Sequence, residues 1–272
     1  MPSQNAKDRQ VMPKDNERKQ DIEGERKWHE RKFYIDSGHW TSHRLFASRQ
    51  RHWLKNDVQK IRFYGYLYEY IRNKPYSHVA IILMAPVGSG DDLKYLHGIY
   101  NKVYGIDISN IALSGCPGTI IKKEGDILTS GYEDESFDIV ICCQFLHHVH
   151  GIGFEAFIKE FFRLLRKGGV LAIMEPSSMY PFSWLFGLLN KIIGNVTGKV
   201  EDEKPVFPSE ITKVLKNTGF ERVHIQGLSY NHARFPCGIQ LFSNLVDWPL
   251  RWCWCFKFFA ESIGWFCEKP EK

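Results

Sequence analysis

The 272-residue chain lacks any run of 18 apolar residues, so no segment of it reads as a membrane-crossing helix. Its seven cysteines include no C-x-x-C pair, which removes the basis for a zinc ribbon or a thioredoxin-like motif. Their odd number points to a reducing cytoplasm. The polar N-terminus, MPSQNAKDRQVMPKDNERKQ, cannot act as the apolar part of a signal peptide, which points the same way. No G-x-S-x-G elbow is present, so a Ser/His/Asp hydrolase has no support. Metal dependence is not suggested by any spacing.

A surplus of positive charge is also missing from most of the chain. Residues 1–62 hold 15 Lys/Arg against 9 Asp/Glu, whereas the remainder holds 21 against 22. The net charge of +5 therefore belongs to the N-terminal segment. That segment could meet phosphates or an anionic surface, or be a solvated face or tail. Residues 1–27 read as a charged, disordered tail and 28–75 as N-terminal helices, with Trp53, Val58, Ile61, Tyr64, Leu67, Tyr68 and Ile71 at helical spacing.

From residue 76 strands and helices alternate. HVAIILMA (78–85), VYGIDI (103–108), TIIKKEGDI (119–127) and VLAIMEP (170–176) read as strands, and FDIVICCQFLHHV (137–149) as a strand running into a loop. A helix is predicted to start at Asp92. Another runs from Phe154 to Arg166 and stops at Lys167-Gly168-Gly169, and a third spans 208–218 before Gly219. A strand follows at 221–226, and GWFCEKP can supply a last one. The fold class is α/β, Rossmann-like, with a doubly wound, mostly parallel sheet spanning 76–272. Two elaborations, 177–207 and 237–263, fall on the side where an acceptor would bind.

The turn after the first strand reads Ala85-Pro86-Val87-Gly88-Ser89-Gly90-Asp91-Asp92, and Asp107 closes the second strand. Glycines there let a ligand approach the backbone, and an acid at the second strand end can accept the hydroxyls of a ribose. A dinucleotide fingerprint fails, because its third glycine would fall on Leu93. Gly125-Asp126-Ile127, the segment Gln144 to His148 and L-L-R-K-G-G-V-L follow in order. This ordered set, over about 78–226, resembles the class I S-adenosylmethionine-dependent methyltransferases. The resemblance implies that Ala85, Pro86, Gly88 and Gly90 cradle the methionine part of S-adenosylmethionine and Asp107 holds the ribose. It sets Ile108 against the adenine, Asp126 on the adenine amino group and Ile127 beside the ring. Gln144 and Phe145 would lie near the sulfonium, and S-adenosylhomocysteine would be the product. Met84 and Pro86 depart from the family pattern, which has an acid and a glycine there. Asp91 or Asp92 could supply the carboxylate instead, or simply begin the next helix.

Methyl transfer to a hydroxyl needs a base, and His147, His148 and His150 follow the fourth strand; a structural role, with a ring packed on the following helix, is the alternative. Alternation along extended chain would keep His147 and His148 from both facing the acceptor. Glu175, at the end of the fifth strand, could orient the acceptor or anchor a loop. Tyr180 is a further candidate, and Tyr34 and His43 read as packing. The aromatic stretch 239–266 carries Asp247, Arg251, Lys257 and Glu261 within about 120° of a helical wheel, so an amphipathic helix starting near Pro249 is expected, with Trp254 in its charged arc. It could pack on the sheet, line an acceptor tunnel or touch a membrane. The sequence thus points to methylation, in the first place at oxygen, of a small hydrophobic or lipid-linked acceptor. A catalytically silent binding protein is the alternative. A nucleic-acid methyltransferase is a weaker one, since the Asn/Asp-Pro-Pro-Tyr type of motif is missing.

Overall fold

The computed structural model describes residues 49–150, 153–183, 204–231 and 255–271, with isolated positions 188, 245, 247, 249, 250 and 253 between them. The tail and the candidates Tyr34, His43 and Trp254 lie outside the described residues.

Helix α1 (Arg49–Ile71) precedes the sheet. The strands are β1 (Ala80–Met84), β2 (Tyr100–Asp107), β3 (Ile120–Glu124), β4 (Phe137–Cys143), β5 (Leu165–Pro176), β6 (Glu221–Ser229) and β7 (Ser262–Glu268). Helices α2 (Asn110–Ser114), α3 (Glu155–Leu164) and α4 (Pro208–Thr218) lie between them. The seven-stranded sheet has the order β3-β2-β1-β4-β5-β7-β6. The first five strands in sequence pair in parallel, and β7 inserts antiparallel between β5 and β6. The connection reverses direction between β1 and β4, which is where open α/β sheets bind ligands, beyond the carboxyl ends of their strands.

Each face of the sheet carries its own core. On one side α3 buries Phe157, Ile158, Phe161 and Leu164, and α4 buries Ile211 and Leu215. On the other, α1 buries Phe63, Tyr64, Leu67 and Ile71, each worth about 1.5–3 kcal/mol when removed from water. Two positions of the α1 periodicity, Ile61 and Tyr68, face solvent instead, and Phe63 takes the inward place. Gly264 makes room for it: a Cβ there would meet the ring of Phe266 at 3.1 Å and Phe63 at 3.3 Å.

Three expectations need correction. The helix expected from Asp92 is one 3₁₀ turn, Asp91–Tyr95, because Gly90 (φ 70°) and Gly98 (φ 85°) bracket too few residues for more. Helix α3 ends at Leu164, and Gly168-Gly169 is not its stop. That pair bulges inside the chain entering β5, where a Cβ on Gly169 would collide with Arg166 O at 2.8 Å and Asp138 O at 3.0 Å. The fourth strand does run into a loop as expected: it ends at Cys143, where Gln144 turns left-handed (φ 56°) and a 3₁₀ turn, Leu146–His148, follows. Finally, the chain is already helical at Leu245 and bends by Cys253, so Pro249 does not open a long amphipathic helix. Asp247 is fully buried, not part of a charged outer arc, since Arg62 of α1 pairs with it and Tyr230 N–H donates to it at 2.8 Å.

Candidate active site

Asp107 organises the cleft at the carboxyl end of β2. It is only 3% exposed, yet both carboxylate oxygens are held from above: Oδ2 accepts Gly88 N–H at 2.8 Å and Oδ1 accepts Ser109 N–H at 2.9 Å. Its carbonyl accepts Gly125 N–H at 2.9 Å. One residue therefore fixes the loops after β1, β2 and β3. Each carboxylate oxygen keeps a second lone pair for a ligand hydroxyl.

The loop after β1 is braced by its own backbone. Ala85 N–H bonds Ile141 O, Val87 N–H bonds Ile106 O and Gly90 N–H bonds Val87 O, at 2.9–3.0 Å. The Ala85–Pro86 peptide is cis. Gly90 sits tightly over Pro117 and Ile120, whereas a Cβ on Gly88 (φ 55°) would meet nothing within 4 Å. The loop thus presents open space at Gly88, as a cradle for a bulky cofactor requires. Across the cleft Ile108 is half-buried, and Asp126 accepts Leu128 N–H at 3.0 Å while Ile127 is buried beneath it. Asp91 is exposed and accepts from Ser89 Oγ at 2.8 Å.

Asp92 behaves differently. It is buried, ion-paired with Lys60 of α1, and accepts the Tyr64 hydroxyl at 2.9 Å. Burial first, and the Asp92 charge second, push the Tyr64 phenol well above its usual range, so it stays a donor. Burial likewise raises the neighbouring Cys143 thiol, and again the Asp92 carboxylate adds to it. The Tyr64 ring stacks on Tyr95 at 5.3 Å. Sequence reading missed Lys60 and its contact with Asp92. The i, i+4 spacing of Lys60 and Tyr64 places them on one helical face, but only the fold sets Asp92 opposite that face.

At the ends of β4 and β5, Gln144 is exposed, and its strained backbone is held by Gln144 N–H to Met174 O at 2.8 Å. Glu175 is fully buried. Its Oε1 accepts Phe145 N–H at 2.8 Å and Leu146 N–H at 2.7 Å, and its Oε2 lies 2.7 Å from His147 Nδ1. Of its two expected roles the geometry therefore matches the loop anchor and not an acceptor-facing carboxylate. The chain here is a 3₁₀ turn and not extended, so strand alternation does not separate the two histidines: the rings of His147 and His148 lie 4.0 Å apart. Tyr180 is buried and donates to Tyr230 O at 3.0 Å.

Residues 83–173 match the family model described as a methyltransferase domain. The ubiquinone biosynthesis O-methyltransferase of Rickettsia prowazekii is 32% identical over 104 residues, which are 37% of this chain; the chain spans 40% of that relative's length. A S-adenosylmethionine-dependent methyltransferase structure from Archaeoglobus fulgidus matches 76% of this chain and 94% of its own at 17% identity, with a TM-score of 0.52. A possible histamine N-methyltransferase from Thermotoga maritima matches 82% and 94% at 13% identity, with a TM-score of 0.56. Those two likenesses speak for the fold, and the sequence match over β1 to β5 speaks for the family. Over residues 83–173 the chain is similar to methyltransferase domains, and its fold is the Rossmann-like one of the S-adenosylmethionine-dependent methyltransferases it resembles.

Proposed function

We propose that the protein transfers a methyl group from S-adenosylmethionine to an oxygen of a small hydrophobic or lipid-linked acceptor. The observation that carries this reading is Asp107, whose buried carboxylate closes the loops of the family-matching segment around an open cradle at Gly88. Bound there, the cofactor supplies a methyl on a sulfonium, a good leaving group. Asp107 would hold the ribose hydroxyls, Asp126 the adenine amino group and Ile108 and Ile127 the ring, with Ala85, Pro86, Gly88 and Gly90 as the cradle and Asp91 at its rim. Gln144 would lie beside the methionine.

His147 is the base this geometry favours. The Glu175 carboxylate can only accept, so it fixes the proton on Nδ1 and leaves Nε2 as the basic nitrogen of the neutral ring. Glu175 thereby acts as a positioning residue, in the manner of a carboxylate orienting an imidazole. His148 flanks the pair.

A hydrophobic acceptor is supported by what surrounds this end of the sheet. Met179 and Phe182 follow β5, Phe207 precedes α4, and Phe256 and Phe259 precede β7; all five are exposed. A groove of about 550 Å³ is lined by Met179, Pro208, Ile225 and Phe258 together with the polar Ser209, Thr212, Lys213, Lys216 and Asn217. Peripheral membrane contact through these side chains belongs to the same proposal. No helix among the described residues is long and apolar enough to cross a membrane.

Calorimetric titration with S-adenosylmethionine and S-adenosylhomocysteine, beside Asp107→Ala, tests the cofactor. Micromolar binding that the variant loses supports the reading, and no binding to either ligand sinks it in favour of a silent scaffold. Transfer of labelled methyl into solvent-extractable acceptors tests the base. His147→Gln should slow it about 100-fold or more, the scale of general-base catalysis, with cofactor affinity unchanged.

A further inference from the structure

The methionine end of the cofactor is a zwitterion, with a carboxylate and an ammonium on one carbon. Most of the loop after β1 is already committed to the protein itself. The N–H groups of Ala85, Val87, Gly88 and Gly90 are all spent on protein oxygens, and Met84 is apolar. The 3₁₀ turn of five residues that follows is too short to build a useful dipole.

The switch crevice between β1 and β4 nevertheless contains a matched cation and anion. Lys60 reaches down from α1 to Asp92, two residues beyond Gly90 and beside Cys143 at the end of β4. The Lys60 side chain keeps 25% of its exposure and that of Asp92 keeps 8%, so the pair is partly dry but can be approached. Taking the cofactor reading above as given, we propose that this ion pair is the receptor for the zwitterion: Lys60 takes the carboxylate and Asp92 the ammonium, exchanging their mutual contact for two contacts with the ligand.

The exchange is electrically neutral on both sides, so no net charge is buried when the ligand enters. The desolvation of Asp92, the costly part of any buried carboxylate, is already met when the protein folds. Tyr64 remains as the donor that keeps Asp92 in place while Lys60 swings to its new partner, so one of the two partners is preorganised. Such a receptor discriminates by the amino-acid end alone. Ligands that keep the adenosine but lack the zwitterion gain nothing from it.

The test compares S-adenosylhomocysteine with 5′-methylthioadenosine, which lacks the amino-acid end, by calorimetric titration of the wild type, Lys60→Met and Asp92→Asn. Methionine keeps the apolar stem of lysine, and asparagine keeps an acceptor for Tyr64. Each variant is expected to bind S-adenosylhomocysteine at least tenfold more weakly while its affinity for 5′-methylthioadenosine stays within twofold. Unchanged affinity for S-adenosylhomocysteine in Lys60→Met overturns the proposal. So does an equal loss for both ligands, which marks a structural role, and thermal melting of each variant reports that role separately. If the wild type binds 5′-methylthioadenosine but the variants do not discriminate, only this inference fails. If it binds neither ligand, the cofactor reading fails and this inference falls with it.

Discussion

The two halves of the ligand edge are held together in different ways. Around β1 to β4 the loops are tied by short bonds within the segment that carries the family match: Gly88 and Ser109 to Asp107, Gly125 to the Asp107 carbonyl, Leu128 to Asp126. Around β5 to β7 the ties join parts far apart in the chain. Gln59 Nε2 donates to Glu261 at 2.5 Å, Arg62 to Leu228 O at 2.7 Å, Ser177 Oγ to Phe258 O at 3.1 Å and Tyr180 to Tyr230 O at 3.0 Å. On the proposed reading the loops of the cofactor half are thus tied mostly locally, with α1 adding Lys60 and Tyr64 at Asp92, whereas the acceptor half exists only when α1, the chain after β5 and the chain before β7 have converged. A domain built this way can keep its cofactor site while its acceptor side changes.

The sharpest way to break that comparison is to cut the acceptor half at Arg62. Arg62→Met would remove the guanidinium that pairs with the buried Asp247 carboxylate and donates to Leu228 O, and breaking such a buried pair typically costs about 3–5 kcal/mol. Urea unfolding should show that loss. Hydrogen exchange should accelerate at 228–231 and 260–263 and not at 85–90 or 107–109. A uniform acceleration would mean that the two halves form one cooperative unit.

The converse cut is Gly90→Ala. The new Cβ would sit 2.8 Å from Ile120 Cδ1 and 2.9 Å from Pro117 Cδ at a left-handed φ of 70°, so both crowding and backbone strain oppose it. The expected loss is about 1–3 kcal/mol, the usual range for overpacking. It should be accompanied by at least tenfold weaker S-adenosylhomocysteine binding, with hydrogen exchange in β6 and β7 left as it was. Equal binding would separate the Gly88–Gly90 cradle from the cofactor.

The same contrast explains what could be read from the sequence. The strands β1 and β4 are short apolar runs bounded by turns, β2 ends in one, and Asp107 stands at a fixed distance after a glycine turn, so pattern alone located them. Gly219 ended α4 as its left-handed φ of 105° requires. Reading failed where a residue's partner lies elsewhere in the chain. Asp247 looked like a surface charge because its cation, Arg62, is 185 residues away. Sequence left Glu175 open between an acceptor-facing and a loop-anchoring role because the N–H groups that occupy it come from the turn after β4. Gly168-Gly169 looked like a helix stop because the crowding against Asp138 O that demands glycine arises from the neighbouring strand.

Gln144 sits where the two halves meet, and its effect is expected to be the smallest. It adopts φ 56° without being glycine, and a left-handed non-glycine residue carries roughly 1 kcal/mol or more of strain. Gln144→Gly would relieve that strain but would also loosen the unfolded chain, which offsets part of the gain. Net stability should therefore rise by only about 0.5 kcal/mol. If the side chain serves only the fold, cofactor affinity will not notice the change. If Gln144 is retained at this strained position because its amide meets the ligand, S-adenosylhomocysteine binding should weaken several-fold in a protein that melts slightly higher. Opposite movement of stability and affinity is the signature that strain is kept for function. A parallel fall in both would instead place Gln144 among the residues that hold the turn after β4 together.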